Sequence, residues 1–166
     1  MNLEITYVKS KADIKIVVRL ANEIWREHFT PIIGIDQVEY MLEKYQNLQA
    51  INSQIDSGWI YYMFKFNDEF VAYTALVAEP NNKKLMLSKV YVKKETRGKG
   101  IGAFILNFIE SKYKNYGYKL LWLTVNRFNK DTIKWYIHHE FVATDKVKKD
   151  IGGGYFMDDY IMEKKI

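Results

Sequence analysis

The chain has 166 residues, 48% of them hydrophobic and 16% aromatic, which suits one domain over residues 1–166 and excludes general disorder. The absence of cysteine excludes disulfides and thiolate chemistry, and no apolar run reaches the roughly 20 residues that span a bilayer, so a cytoplasmic protein without membrane contact is expected. The net charge of +5 is unevenly distributed, because residues 27–82 hold eight acidic and two basic residues, whereas residues 83–130 hold two acidic and twelve basic ones.

Helices are predicted for the chain up to Gly58. Ser10 and Asp13 predict a capping box, and the helix that it begins has apolar residues at a 3.6-residue period as far as about His28. The segment from Pro31 to Gly34 is predicted to be a connection. Two short amphipathic helices should follow it, the second closed by Gly58. Their apolar residues are Val38, Met41, Leu42 and Tyr45, and then Leu48, Ile51 and Ile55.

After Gly58 the apolar pattern changes to that of strands alternating with helices. The predicted elements are a hairpin of strands 59–66 and 70–78 around Asn67-Asp68, a strand at 85–92, a helix from Gly100 to near Gly117, a strand at 120–125, a helix from about Lys130 to His139, and strands at 141–147 and 155–163. The strand, helix and strand over residues 85–125 predict a βαβ unit. The fold class is therefore α/β, with three layers and a mixed sheet.

A glycine-rich loop lies between the strand at 85–92 and the helix that follows it. Its sequence is Arg97-Gly98-Lys99-Gly100-Ile101-Gly102. Glycines allow close approach of the backbone to a ligand, and the amides at a helix start bind phosphate, to which Arg97 and Lys99 add positive charge. The pattern is neither a Walker loop nor a dinucleotide fingerprint, and a plain turn would not need three glycines and two cations. A phosphate-binding loop is predicted.

This R-x-x-G-x-G loop after the strand LSKVYV resembles the acetyl-CoA pyrophosphate loop of the GNAT superfamily of N-acetyltransferases. Residues Asn129, Thr132, Ile133 and Tyr136 match the family's Asn-x-x-(Ala/Thr)-Ile-x-x-Tyr segment. More narrowly, the segments at 23–34, 87–92 and 157–166 resemble the PaiA-type polyamine acetyltransferases. The resemblance implies the GNAT-type fold, a mostly antiparallel mixed central sheet with helices on both faces.

The resemblance also implies an activity, the transfer of an acetyl group from acetyl-CoA to a primary amine by direct attack through a tetrahedral intermediate. Tyr136 would protonate the leaving thiolate as the catalytic acid, although with thirteen tyrosines in the chain a packing role is the alternative. The cofactor-binding residues would be Val90, Tyr91, Val92, Arg97, Gly98, Lys99, Gly100, Ile101, Gly102 and Asn129. No metal is expected, because His138 and His139 have no partner at ligand spacing.

The general base is left open by the sequence. Several relatives have a glutamate on the strand that matches residues 87–92, and this chain has none there. The alternatives are a water chain or one of the side chains Glu27, His28, Glu79, Asp158 and Asp159. Two local features are also predicted: Asn129 should cap its helix, and Glu140 should form a turn other than the left-handed one that suits a glycine.

The expected acceptor is a small cationic amine such as spermidine or spermine. The acidic segment 27–82, with Asp158 and Asp159, would attract it, and the basic segment 83–130 would suit the anionic cofactor. The alternatives are a peptide N-terminus or lysine as acceptor, a non-catalytic acyl-CoA-binding regulator, and a nucleic-acid-binding protein, which the acidic segment disfavours. A monomer or homodimer without nucleic acid is expected.

Overall fold

The computed structural model describes residues 3–166 of the chain. This part contains five α-helices and seven β-strands. In chain order they are β1 (Leu3–Tyr7), α1 (Lys11–Ile33), α2 (Ile35–Tyr45), α3 (Leu48–Asp56), β2 (Ile60–Phe66), β3 (Glu69–Glu79), β4 (Lys84–Val92), α4 (Ile101–Asn115), β5 (Leu120–Asn126), α5 (Lys130–His138), β6 (Val142–Gly152) and β7 (Tyr155–Lys165). The strands form one mixed, mostly antiparallel sheet in the order β1-β2-β3-β4-β5-β7-β6. The predicted α/β class is confirmed.

The chain divides into two compact units. The first comprises the described residues up to Val77 together with Lys89–Gly102, and the second comprises Ala78–Ser88 and Ala103–Ile166. The single domain over residues 1–166 stays a prediction.

In the first unit, β1, β2 and β3 form an antiparallel meander beside helices α1, α2 and α3. Asn67 and Asp68 join β2 to β3 with φ values of 50° and 64°, the left-handed pair that a two-residue hairpin turn requires. The predicted hairpin is therefore confirmed. Strand β1 was not predicted, although the alternation of apolar and polar residues in LEITY is a strand pattern.

In the second unit, β4 begins parallel to β5, with Lys84 opposite Leu120 and Met86 opposite Trp122. Helix α4 connects these strands, which confirms the βαβ unit. The paired stretch ends at Met86 and Trp122, although β4 runs on to Val92 and β5 to Asn126. Strands β5, β7 and β6 are antiparallel along their length, with the three glycines 152–154 at the β6–β7 turn.

Helix α1 confirms one local prediction and corrects another. The side chain of Ser10 accepts from the Asp13 N–H at 3.1 Å, and Asp13 accepts from the Ser10 N–H at 2.9 Å, so the capping box is present. The helix does not end near His28, however, but continues through Pro31 to Ile33. Proline costs one backbone hydrogen bond, and in the last turn of a helix its fixed φ remains compatible with helical geometry. Gly34 then ends the helix at a φ of 83°.

Glu140 corrects a second prediction, since it does adopt the left-handed conformation, at a φ of 67°. The N–H groups of Glu140 and Phe141 donate to the carbonyls of Ile137 and Tyr136, at 3.0 Å each, and so close α5. The exposed Glu140 carboxylate lies 3.3 Å from Lys164 Nζ. The helix end imposes this turn on a residue that has no intrinsic preference for it.

We expect Glu140→Gly to stabilise the protein by about 1 kcal/mol, because glycine adopts the left-handed conformation without a steric penalty. An exposed ion pair is worth little, so its loss should not offset the gain. The melting temperature in thermal denaturation should rise by about 2–4 °C. The control is Glu140→Ala, which loses the same ion pair but keeps a Cβ, and should give no gain. A lower melting temperature for the glycine variant than for the alanine variant would show that the turn is unstrained.

Candidate active site

The glycine loop has a backbone conformation that glycine favours. Gly98 and Gly100 have φ values of 76° and 79°, a region that disfavours residues with a Cβ. Residues 98–100 are exposed, and α4 begins directly after them at Ile101. The first N–H groups of a helix have no partner within the helix. The loop therefore combines an exposed backbone with a helix start, the arrangement that binds anionic phosphates.

The two cations of the loop differ in their surroundings. Arg97 donates through Nε to the Val92 carbonyl at 3.0 Å, and its guanidinium is 2.8 Å from a Glu27 oxygen. This side chain fixes the loop to the end of β4 and to α1. Lys99 Nζ lies 6.0 Å from the Phe66 ring centroid, on an exposed residue. A phosphate would therefore compete with Glu27 for Arg97.

Aromatic side chains pack against Tyr91 near the end of β4. The Tyr91 ring lies 5.4 Å from Tyr73, 5.6 Å from Trp25 and 6.0 Å from Phe29, measured between ring centroids. Val90 and Val92 alternate with Tyr91 and so point to the opposite face of the strand. All three residues are half-buried. Aromatic packing thus fixes the backbone of the segment that the family resemblance assigns to the cofactor.

Lys89 is a buried cation on the same strand, with 5% of its surface exposed. Its Nζ donates to the Tyr45 carbonyl at 3.2 Å, to Gln54 Oε1 at 2.9 Å and to the Tyr61 hydroxyl. Burial lowers the pKa of this ammonium to about 7. The alternation of LMLSKVYV indicates that position 89 faces inward, but the sequence contains no signal for these three uncharged partners.

In the second unit, Asn129 and Tyr136 lie at the start and the last turn of α5. Asn129 occupies the N-cap position and is buried, but its side chain makes no capping hydrogen bond, so that prediction is wrong. The buried Tyr136 ring packs 5.3 Å from Phe141, and burial raises the pKa of its phenol, which keeps the hydroxyl protonated. A protonated hydroxyl is the form that a proton donor needs.

The candidate bases have different partners. Glu27 pairs with Arg97 and Lys94, Glu79 accepts from Trp122 Nε1 at 2.8 Å, and Asp158 lies 3.1 Å from Arg127 Nε. His28 packs edge-on to Phe29, 4.8 Å between ring centroids, inside α1, which continues past it to Ile33. Asp159 is buried.

Some of the acidic side chains of segment 27–82 are in ion pairs. Glu27 and Glu69 pair with Arg97 and Lys93 from the basic segment, and Glu39 pairs with Arg26. Ion pairs therefore neutralise these three carboxylates.

Comparison with known proteins identifies the family of the chain. The profile of the Acetyltransferase (GNAT) family matches residues 18–141. The chain belongs to the GNAT family. An uncharacterized N-acetyltransferase in the pepI 3' region of Lactobacillus delbrueckii subsp. lactis is 23% identical over 156 residues, 85% of this chain and 90% of that protein.

Two solved structures have a similar fold. The PaiA N-acetyltransferase of Thermoplasma acidophilum, solved in complex with coenzyme A, has a TM-score of 0.78 at 22% identity, with all of both chains covered. A GCN5-related N-acetyltransferase from Rhodopseudomonas palustris has a TM-score of 0.83 at 12% identity, covering 100% of this chain and 97% of that one.

The GNAT chain is thus an acetyl-CoA-dependent N-acetyltransferase, and the predicted cofactor is confirmed. The exposed glycine loop with Lys99 fits a group that carries phosphates. Among residues 3–166, no three histidine or carboxylate side chains are grouped to hold a metal ion. Within the same range, each helix is too short or too polar to cross a membrane.

Proposed function

We propose that this GNAT enzyme acetylates a primary amine of a small polyamine such as spermidine or spermine. Bound acetyl-CoA supplies the thioester carbonyl that the amine attacks. The observation that carries the cofactor site is the loop conformation, with Gly98 and Gly100 left-handed directly before α4. The amides of residues 98–102 and Lys99 would hold the pyrophosphate, and Arg97 would share its guanidinium between Glu27 and the phosphates.

The family resemblance supplies the roles proposed for the remaining residues, which lie on β4 and α5. The backbone groups of Val90, Tyr91 and Val92 would bind the pantetheine arm and donate to the acetyl oxygen. Buried Asn129 has side-chain hydrogen-bonding capacity that its helix does not use for capping, which supports a contact with the cofactor. Tyr136 would donate its hydroxyl proton to the leaving thiolate.

The polyamine acceptor is supported mainly by the PaiA-type segments at 23–34, 87–92 and 157–166. The negative charge of segment 27–82 supports a polyamine acceptor less than the sequence suggested, because Glu27, Glu39 and Glu69 are already paired with bases. Asp159 on β7 would add negative charge for a polycation, whereas its neighbour Asp158 is paired with Arg127. A cytoplasmic location and a monomer or homodimer stay predictions.

We expect spermidine or spermine to be acetylated with a higher kcat/KM than monoamines or peptides with a free N-terminus. Mass spectrometry of an amine panel incubated with acetyl-CoA gives the ranking. Added salt should raise KM for the polyamine, since attraction between exposed charges is screened beyond about 8–10 Å at physiological ionic strength. A monoamine of similar length is the control, and its KM should respond less to salt.

The ranking of the amines tests the choice of acceptor separately from the acetyltransferase activity. Higher kcat/KM for peptide N-termini or for monoamines would show that the polyamine assignment is wrong, while the acetyltransferase activity would stand.

A further inference from the structure

Asp159 differs from the other candidate bases in its surroundings. It has 5% of its surface exposed and lies on β7 between two strands, opposite Asn126 of β5 and Val147 of β6. The Thr124 hydroxyl donates to its carboxylate, so Asp159 lies on the face of β5 that carries Thr124 and Asn126. The opposite face of β5 is the apolar one, with Leu121, Leu123 and Val125 buried.

Asp159 is also close in the fold to the segment that leads into α5. Asn126, its cross-strand partner, is the last residue of β5, and the Asn126 carbonyl accepts from the Asn129 N–H at 2.9 Å. Asn129 is the N-cap of α5, the helix that carries Tyr136. One compact unit therefore contains the buried carboxyl, the helix start and the proposed acid.

The charged groups around this carboxyl do not neutralise it. Asp158, its neighbour on β7, is bound by Arg127, and on β6 the lysines Lys146 and Lys148 lie opposite Tyr160 and Asp158. Burial raises the pKa of Asp159 from 3.8 to about 6, with a smaller contribution from Asp158, and the Thr124 hydrogen bond opposes the rise. At neutral pH the carboxyl is therefore ionised and able to accept a proton.

We propose that Asp159 is the general base of the acetyl transfer and takes a proton from the ammonium group of the acceptor. The inference rests on the proposed function, since it requires an amine acceptor. It is favoured over the other carboxylate candidates because Glu27 and Asp158 are held by arginines, and Glu79 by Trp122.

The protons in this step balance. The ammonium gives one proton to Asp159, and the neutral amine then forms the N–C bond of the tetrahedral intermediate, whose collapse restores the carbonyl and breaks the C–S bond. Tyr136 gives its proton to the departing sulfur and regains one from the nitrogen, which becomes the amide. Asp159 releases its proton to solvent, so the products are the acetamide, the free thiol of coenzyme A and one proton.

A base of this kind gives a distinct pH profile. With Asp159, kcat/KM for an amine of pKa near 10 should rise as the carboxyl ionises around pH 6 and then stay level up to about pH 10. Without a base only the small neutral fraction of the amine reacts, so kcat/KM should rise about tenfold per pH unit up to the pKa of the amine.

The test compares Asp159→Asn with the parent enzyme across this pH range, with the amine that the panel ranks first. We expect the variant to lose about 10²–10³-fold in kcat/KM at pH 7 and to approach the parent near pH 10. Asparagine still accepts from Thr124 and removes a buried charge, so the melting temperature at pH 7 should be unchanged or higher. The matched control is Asp145→Asn on β6, which should keep the parent profile.

Two results would overturn the assignment. One is an unchanged rate and profile in Asp159→Asn, and the other is a loss of equal size at every pH, which indicates a structural role. An acceptor whose amine has a pKa near 7 gives a second check, because the variant should lose little activity with it. If the parent enzyme acetylates no amine at all, the proposed function fails, which is distinguishable from a failure at Asp159.

Discussion

Replacing Gly100 with aspartate is expected to abolish the binding of acetyl-CoA. The residue lies in the exposed loop at a φ of 79°, immediately before the first residue of α4. Aspartate introduces a Cβ in a left-handed conformation and a negative charge where the phosphates would bind. In thermal denaturation, ligand at about 100 times its Kd stabilises the parent protein by about 2.7 kcal/mol, and the variant should show no such shift.

Two further variants separate the causes of this loss. Gly100→Ala adds the Cβ without the charge and should weaken binding less than aspartate does. Gly117→Asp makes the same substitution at another left-handed glycine, with a φ of 89°, just after α4 ends, and should leave the ligand-induced shift intact. Full binding by Gly100→Asp would remove the loop from the cofactor site.

Replacing Tyr136 with phenylalanine is expected to lower turnover by about 10²–10⁴-fold, the usual contribution of a general acid. The ring remains to pack against Phe141, so acetyl-CoA binding and the melting temperature should change little. The rate should be measured under conditions in which chemistry limits turnover. This result would show that the hydroxyl of Tyr136 has a role in turnover that is distinct from the packing role of its ring.

The control for Tyr136→Phe is Tyr113→Phe, at a tyrosine of α4 that is buried in the same unit. It should reproduce any change in stability that comes from removing a buried hydroxyl, and it should leave turnover unchanged. If Tyr136→Phe keeps the turnover of the parent enzyme, Tyr136 is a packing residue and another group protonates the thiolate.

Comparing Gly100→Asp with Tyr136→Phe distinguishes an effect on acetyl-CoA binding from an effect on the chemical step. The loop variant should lose the thermal shift, whereas the tyrosine variant should keep the shift and lose turnover. Together with the profile of Asp159→Asn, they assign the anion site, the acid and the base by three separate measurements.

Much of the secondary structure follows from local sequence. The capping box at Ser10 and Asp13, the hairpin at Asn67 and Asp68 and the βαβ unit around α4 all depend on residues close together in the chain. The conformations of Gly98 and Gly100 follow in the same way, because side-chain sterics decide which residues adopt a left-handed φ. The family resemblance rests on these same local patterns.

Features that depend on distant residues were mispredicted or left open. Glu27 and Glu69 pair with Arg97 and Lys93, which are far from them in the sequence, so part of the charge of the acidic segment is neutralised. The reason is that ion pairing depends on distance in space, which linear charge counts do not contain. The left-handed turn at Glu140 is a different case, because it is set locally by the end of α5 against the preference of the residue.

The state of a buried ionisable group is likewise a property of the tertiary structure. The sequence by itself placed Lys89 within the predicted strand at 85–92 and included Asp159 among five candidate bases. Only the fold surrounds Lys89 with Tyr45, Gln54 and Tyr61, and only the fold buries Asp159 between β5 and β6. Removal from water raises the free energy of the charged form, which lowers the pKa of a lysine and raises that of an aspartate, and no local pattern encodes that removal.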